Sequence, residues 1–301
     1  MVLTPTNRDE LSRRLVEASA SGTRIDGVQL NNIASLIEHQ PEDMTATVEA
    51  GMTLSTFQDQ LRRARQWLPI DPPDPLRMTI GDLLAHNFSG PRRYGYGAIR
   101  DYLIGIKVAL ANGEIIKAGG KVVKNVAGYD LCKLFIGAKH TLGIIVEATF
   151  KLRPLPEKEV VLESSFDSIP ALSLAARSLL DSPCEPVICD AHNRGATTLV
   201  TAFAGAAEDV DFQVALAGKL TSWTESSTSY DSRFSNAISV LPSKTADELI
   251  RLNAGEYVAR FGNGVIYHNG RSQARALPCP ALAARAKKAY DPNGIFAEHS
   301  L

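Results

Sequence analysis

The feature that most restricts the fold is a dense block of capping residues and glycines from Thr79 to Gly97, which reads T-I-G-D-L-L-A-H-N-F-S-G-P-R-R-Y-G-Y-G. Thr79 has the side chain of a helix N-cap and Asp82 follows three residues later, so the apolar residues after them predict a short helix. The loop from Ser89 to Gly97 is rich in glycine, and glycine lets backbone N–H groups approach a flat or anionic ligand closely. Asn87 and Ser89 add polar side chains. Taken alone, the block favours a ligand-binding loop only slightly over a tight turn.

The composition describes an ordinary globular chain and excludes several partners. The 301 residues suffice for one large domain or two smaller ones, with 45% hydrophobic and 22% charged residues. The net charge of -1 provides no field that would hold a nucleic acid or an anionic membrane. No basic leader with an apolar core starts the sequence, and no apolar run approaches 18 residues. These features predict a cytoplasmic protein without direct membrane insertion, attached to the inner face of a membrane only through partners.

The cysteines and histidines give no sign of a metal site. Cys132, Cys184, Cys189 and Cys279 are scattered and form no C-x-x-C pair. None of the six histidines belongs to a cluster. We therefore expect reduced, buried thiols and no bound metal.

Local patterns predict the elements of a first domain over residues 1–156. Residues 7–20 form an amphipathic helix that starts with a capping box, and a second helix begins near Thr53. Tyr102–Ala118 reads as a hairpin whose Asn112-Gly113 predicts a type I′ turn. Val146–Arg153 alternates apolar and polar residues without exception, which predicts a strand with one solvent-exposed face. Two prolines then end the element, and we place the domain boundary there.

The following segment has a different order of elements. Over residues 157–265 the pattern is strand, helix, two strands and helix, which predicts a small α+β domain of ferredoxin-like type. The last segment, 266–301, contains a helix at Ala281–Ala289 that stops at Asp291-Pro-Asn-Gly294.

Familiar nucleotide and hydrolase motifs are missing from the sequence. Gly95-Tyr-Gly97 lacks the third glycine of a dinucleotide fingerprint, and Gly119-Gly120-Lys121 lacks the other residues of a phosphate-binding P-loop. Neither a G-x-S-x-G elbow nor an H-E-x-x-H motif occurs. NAD, ATP, zinc and serine-hydrolase chemistry are therefore disfavoured.

Three further blocks carry a family resemblance. They read G-G-K-V-V-K-N-V-A-G-Y-D at residues 119–130, T-L-G-I-I-V-E at 141–147 and D-P-N-G-I-F at 291–296. Together with S-G-P-R-R they resemble the vanillyl-alcohol-oxidase flavoproteins, whose patterns include T-x-G-G and G-T-L-G before a strand. Within that class they resemble the smaller FAD-type subunit of glycolate oxidase. The resemblance implies an α+β, PCMH-type FAD-binding fold of two subdomains with a reduced ferredoxin-like cap domain. It is strong over residues 45–156 and weaker at both ends.

The resemblance also implies roles for individual residues. Those expected to offer backbone to the flavin are Thr79, Ile80 and Gly81. Asn87, Ser89 and Gly90 would lie along the ribityl–pyrophosphate region, with Gly143 and Ile145 beside the adenosine end. Lys124, Asn125 and Tyr129 are candidates for the flavin or substrate face. For these last three, a solvated lysine and two turn caps are an equally good interpretation.

Some residues depart from the family pattern. In the loop expected to nest the FAD pyrophosphate, Thr23–Asn32, only Gly27 remains where two or three glycines are usual. Val28 and Leu30 would crowd a diphosphate and Asp26 would repel it, although Arg24 could compensate in part. Asp82 stands at the second glycine of T-x-G-G.

Three functions remain open. The first is an FAD-binding subunit of a glycolate-oxidising complex, which acts on glycolate or a related 2-hydroxy acid beside a larger FAD-type catalytic subunit and an iron–sulfur subunit. The second is a non-catalytic structural subunit that has lost FAD. The third is a free-standing flavin enzyme of the cell-wall enolpyruvyl reductase type, and the segment at 124–130 argues against it. The catalytic residues remain unknown from the sequence.

Overall fold

The first part of the chain forms a five-stranded sheet with helices packed against it. The computed structural model describes residues 1–120, 131–193, 195–226, 234, 236–269 and 279–297. The elements of this part are β1 (Val2–Leu3), α1 (Arg8–Ser21), β2 (Gly27–Val28), β3 (Leu36–Gln40), β4 (Thr45–Glu49), α2 (Leu54–Arg62), β5 (Gln66–Trp67), α3 (Ile80–Ala85), α4 (Arg93–Tyr96), α5 (Ile99–Tyr102), β6 (Leu103–Ala109), β7 (Ile115–Gly119), α6 (Cys132–Phe135), β8 (Ile144–Lys151) and β9 (Arg153–Pro154). The antiparallel sheet has the order β3-β4-β8-β6-β7, and its core extends from Leu3 to Leu152 and includes Ile295 and Phe296.

The second part forms a larger antiparallel sheet covered by helices. Its elements are β10 (Lys158–Phe166), α7 (Ile169–Leu180), β11 (Ile188–Asn193), β12 (Thr197–Gly205), α8 (Ala207–Ala217), β13 (Thr224–Glu225), β14 (Asn236–Ser239), α9 (Thr245–Leu252), β15 (Tyr257–Arg260) and β16 (Val265–His268). The strand order is β13-β10-β12-β11-β15-β16-β14. The first four strands and two helices have the β-α-β-β-α-β order, and β14, β15 and β16 widen the sheet without having been predicted. The predicted boundary at residue 265 falls at the start of β16, which pairs with β15.

The predicted helix starts agree with the caps in the structure. The side chains of Asn7, Thr53 and Thr79 accept hydrogen bonds from backbone N–H groups three residues ahead. These bonds satisfy N–H groups that have no partner inside the helix. The final helix, α10 (Pro280–Tyr290), ends at Asp291.

Of the face predicted to be solvent-exposed, Lys151 and Arg153 are exposed, but Glu147 and Thr149 are buried within β8. Seven of its eight residues are buried, and Glu147 and Thr149 are each only 8% exposed. Glu147 accepts hydrogen bonds from Arg8 and Lys107 at 2.8 and 2.9 Å, while the Thr149 hydroxyl lies 3.0 Å from that of Thr47. The polar face is therefore covered by side chains from α1 and the neighbouring strands, and its polar groups are paired inside the protein.

The turn of the β6–β7 hairpin also differs from the prediction. Only Gly113 of the Asn112-Gly113 pair has a positive φ, at 80°, and its N–H donates to the Leu110 carbonyl at 2.9 Å. A type I′ turn needs positive φ at both central residues, so that prediction is wrong. The geometry matches a turn closed by a left-handed glycine, the usual form of a slightly longer hairpin loop.

Candidate cofactor site

A cleft of about 250 Å³ opens at the start of α3. Its walls are the loop 28–31, residues Arg77, Thr79, Gly81 and Asp82 around the helix start, and His140 with Ile144 before and in β8. We call it the α3 cleft. It brings the predicted pyrophosphate loop and the predicted T-x-G-G segment to one place.

A single turn holds both walls of the cleft. After β4, the carbonyls of Ala50 and Met52 accept hydrogen bonds from the N–H groups of Gly81 and Ile80, at 2.8 and 2.9 Å. Between them, the N–H of Gly51 donates at 2.9 Å to the carbonyl of Ile33, which follows the loop 28–31 of the opposite wall. The turn at 50–52 thus fixes the spacing between the loop and α3.

Gly51 also lies closer to the loop than any other residue type allows. A Cβ at this position would overlap the Leu30 carbonyl oxygen and lie 2.8 Å from the Ile33 carbonyl oxygen. Both obstacles are backbone atoms, which cannot rotate away. The prediction of candidate residues missed Gly51, although an isolated glycine at the end of a strand pattern often marks such a close approach.

A compact polar group lies on the α3 wall. The Thr79 hydroxyl donates to Asp82 at 2.7 Å, and the His140 Nε2 lies 3.7 Å from the other carboxylate oxygen of Asp82. Burial raises the pKa of the Asp82 carboxyl, but the interactions with His140 and Thr79 outweigh burial and hold that pKa below its ordinary value. Asp82 is therefore ionised and contributes a negative charge to the cleft.

The residues predicted to meet the flavin lie in or beside the cleft, but two of their backbone donors are already in use. Thr79 and Gly81 line the cleft, whereas Ile80 is fully buried. The N–H groups of Ile80 and Gly81 are bonded to the 50–52 turn, so a ligand at this wall would meet the Thr79 and Asp82 side chains. The flavin role of the three residues stays a prediction.

The other predicted residues that the structure describes do not line the α3 cleft. Asn87 follows the far end of α3, and Gly90 packs so tightly on Asp71 that a Cβ there would overlap the Asp71 carbonyl. Ser89 lies between them and is half-buried. Gly143 packs against Val108. Ile145 is 1% exposed inside the core, and the neighbouring Ile144 lines the cleft in its place. Lys124, Asn125 and Tyr129 lie outside the described residues.

The groups around the cleft fit one part of an FAD molecule. Arg77 and His140 can face an anion, and Asn31 can offer an amide. The His140 Nδ1 is buried and has no hydrogen-bond partner among the described residues. This ring nitrogen is therefore available to bond a ligand. Ligand pockets measure roughly 300–1,000 Å³. The α3 cleft is smaller, and it therefore suits the diphosphate region of a dinucleotide and not the whole cofactor.

A second polar cluster joins the two parts of the chain. Arg92 bridges Asp71 and Glu159 at 2.8 and 2.7 Å, and Asp190 of β11 pairs with Arg260 of β15 at 2.6 Å. Asp190 and Arg260 are 1% and 7% exposed. The described residues contain no group of three or more potential metal ligands, so neither cluster forms a metal site of that kind.

Protonation of this second cluster predicts a pH-dependent stability. Burial raises the pKa of Asp190 to about 7 although Arg260 opposes the shift, and burial raises the pKa of Asp71 to about 6 against Arg92. Because both values exceed the ordinary 3.8, the folded chain retains protons that the unfolded chain releases between about pH 4 and pH 7. The two groups should therefore lower the free energy of unfolding as pH rises through that window.

Denaturant unfolding of the Asp190→Asn variant checks this prediction. The variant lacks the titrating carboxyl, so its stability should fall less steeply with pH than that of the wild type. Asp211→Asn, at a carboxylate 65% exposed and paired with Lys158, is the matched control and should keep the wild-type slope. Equal slopes in wild type and Asp190→Asn would contradict the assignment.

Comparison with known proteins supports the cofactor assignment. Residues 15–119 match the family described as FAD binding domain. The chain is 36% identical over 207 residues to glycolate oxidase subunit GlcD of Bacillus subtilis, which covers 62% of this chain and 43% of that protein. It is 33% identical over 139 residues to glycolate oxidase subunit GlcE of Escherichia coli, which covers 46% of this chain and 40% of that protein. The chain thus spans less than half the length of these relatives.

A structural comparison extends over nearly the whole chain. An alkyldihydroxyacetonephosphate synthase structure superposes with a TM-score of 0.76 at 14% identity, covering 98% of this chain and 76% of the other. At this identity the likeness concerns the fold alone. The fold is the PCMH-type FAD-binding fold that the sequence predicted. The family match at residues 15–119 and the similarity to the two glycolate oxidase subunits identify FAD as the cofactor of this domain.

Proposed function

We propose that the chain is the FAD-binding subunit of a complex that oxidises glycolate or a related 2-hydroxy acid to the 2-oxo acid. The support is the match to the FAD binding domain family together with the similarity to two glycolate oxidase subunits. A D-2-hydroxyglutarate dehydrogenase of Xanthomonas citri is also 35% identical over 156 residues, covering 51% of this chain and 33% of that protein. The names of these relatives each refer to a 2-hydroxy acid, which supports this substrate class for the complex.

The chain's own residues would bind and place the cofactor. Bound FAD supplies the two-electron acceptor, and the protein supplies binding, orientation and electrostatics. The turn at 50–52 fixes the width of the cleft, and Arg77 and His140 offer hydrogen-bond donors to an anionic ligand. A larger FAD-type subunit and an iron–sulfur subunit are the proposed partners. Among the described residues no helix is long and apolar enough to cross a bilayer.

A second function is favoured by the side chains inside the cleft. Val28, Leu30 and Asp82 occupy space that glycines leave open in the family pattern, and the cleft is correspondingly small. A subunit whose main role is to complete the assembly, with weak or no FAD binding, is the alternative.

An absorption spectrum of the purified chain, with FAD quantified after denaturation, separates the two functions. We expect a flavin band equivalent to about one FAD per chain, because the protein provides the cofactor site. A colourless chain that also takes up no added FAD would overturn the proposed redox role and favour the assembly role. For the substrate, anaerobic bleaching of the flavin in the co-purified complex by glycolate, D-lactate or D-2-hydroxyglutarate identifies the acid.

A further inference from the structure

Two side chains replace glycines of the family pattern and face each other in the α3 cleft. Asp82 stands at the second glycine of T-x-G-G, and His140 stands at the first glycine of G-T-L-G. They are far apart in the sequence, yet the imidazole and the carboxylate approach to 3.7 Å. We infer that Asp82 and His140 are a compensating pair that sets the affinity for the cofactor's diphosphate: Asp82 opposes its charge, and His140 offsets Asp82. This inference rests on the proposed function.

The fold brings the pair together through backbone contacts near α3. The N–H groups of Gly137 and Lys139 donate to the carbonyls of Leu84 and Ala85, at 3.0 and 2.8 Å. They anchor the segment that carries His140 alongside the helix that carries Asp82. His140 has φ 62°, in the left-handed region that favours glycine. A histidine thus occupies a backbone conformation suited to the glycine of the pattern.

The exposure of the two side chains leaves both open to a ligand. Asp82 and His140 retain 48% and 27% of their side-chain exposure, and both line the cleft. A carboxylate at this wall repels a diphosphate, and the repulsion is stronger in a partly buried cleft than in bulk water. An imidazole close to the carboxylate reduces that repulsion, since its N–H or its positive charge is attracted to both anions.

The other cation of the cleft is less able to compensate. Arg77 is 77% exposed and pairs with Asp74 at 2.8 Å. In the part of the chain that the structure describes, His140 is the one ion-pair partner of Asp82. The charge balance at this wall therefore depends on the Asp82–His140 pair.

Titration of variants with three ligands tests the inference. FAD and ADP both carry the diphosphate, whereas riboflavin carries the flavin ring without any phosphate. Asp82→Asn should bind FAD and ADP about tenfold more tightly, and His140→Gln about tenfold more weakly, as expected for one charge-assisted interaction. The double variant should bind FAD and ADP with nearly the wild-type affinity. Riboflavin affinity should not change in any of the three.

Control variants and melting temperatures separate charge from folding. Asp59→Asn and His39→Gln make the same substitutions outside the cleft, on α2 and β3, and should leave all affinities unchanged. Melting temperatures of the ligand-free proteins show whether each variant is folded. Affinity changes of the same direction in both single variants, or equal changes for riboflavin, would overturn the inference.

The ADP arm keeps this inference distinct from the proposed function. A wild-type chain that takes up no FAD overturns the redox role. In that case, opposite shifts of ADP affinity in Asp82→Asn and His140→Gln still support the compensating pair. A complete lack of ADP binding in wild type and in Asp82→Asn would overturn it.

Discussion

Substitution of Gly51 by alanine should destabilise the chain and sharply weaken FAD binding. The new methyl group would overlap the Leu30 carbonyl oxygen and crowd that of Ile33. The loop 28–33 must then move away from the turn at 50–52, and the hydrogen bond from the Gly51 N–H to Ile33 is lost. Overpacking of this kind costs about 1–3 kcal/mol of unfolding free energy. Because the displaced loop is a wall of the cleft, we expect at least about a tenfold loss of FAD affinity, which corresponds to about 1.4 kcal/mol.

A graded glycine series provides the measurement and its control. At Gly81 a Cβ would lie 3.2 Å from the Ala50 carbonyl oxygen, so Gly81→Ala should have a smaller effect on both properties. At Gly255 nothing lies within 4 Å, and Gly255→Ala should behave as wild type. Denaturant unfolding and FAD titration of all three variants would reveal the order. If Gly51→Ala matches Gly255→Ala, the close approach of the turn and the loop does not hold the cleft.

Features that depend on nearby residues could be predicted from the sequence. The caps at Asn7, Thr53 and Thr79 each involve partners three residues away, and all three are present in the structure. The family patterns added the FAD-binding fold, which the comparisons confirm. These signals are local, or they are contained in short motifs, so a single sequence carries them.

Features that depend on distant partners could not be predicted. The polar face of β8 looked solvent-exposed because alternation does not reveal that Arg8 and Lys107 cover Glu147. His140 was treated as one of several scattered histidines, because its contact with Asp82 exists only when the segment before β8 lies along α3. Gly51 was overlooked for the same reason, since its neighbours Leu30 and Ile33 belong to another loop. In each case the deciding contact is tertiary.

The C-terminal segment should depend on one buried carboxylate. Asp291 is 2% exposed and accepts hydrogen bonds from Lys287 at 2.6 Å and from the N–H groups of Ile295 and Phe296 at 2.9 Å each. Asp291→Ala would leave the Lys287 ammonium, which is 20% exposed, without its carboxylate and two buried N–H groups without an acceptor. Removal of one partner of a buried ion pair costs about 3–5 kcal/mol, so we expect a loss of this size in unfolding free energy.

The loss should extend from the C-terminal segment to the cofactor site. The carbonyl of Ile295 accepts from the N–H of Ile25 at 2.7 Å, three residues before the loop 28–31 of the cleft. Lys287 donates to the carbonyl of Thr141 at 2.9 Å, directly after His140. Asp291→Asn keeps a hydrogen-bond acceptor but loses the charge. Its unfolding free energy and FAD affinity should therefore lie between those of wild type and Asp291→Ala. Asp247→Ala, at a carboxylate 69% exposed and paired with Lys244, is the control and should change little. Denaturant unfolding and FAD titration measure the two effects. A small loss of unfolding free energy in Asp291→Ala would show that the apolar contacts of Ile295 and Phe296 hold the segment, and not the carboxylate.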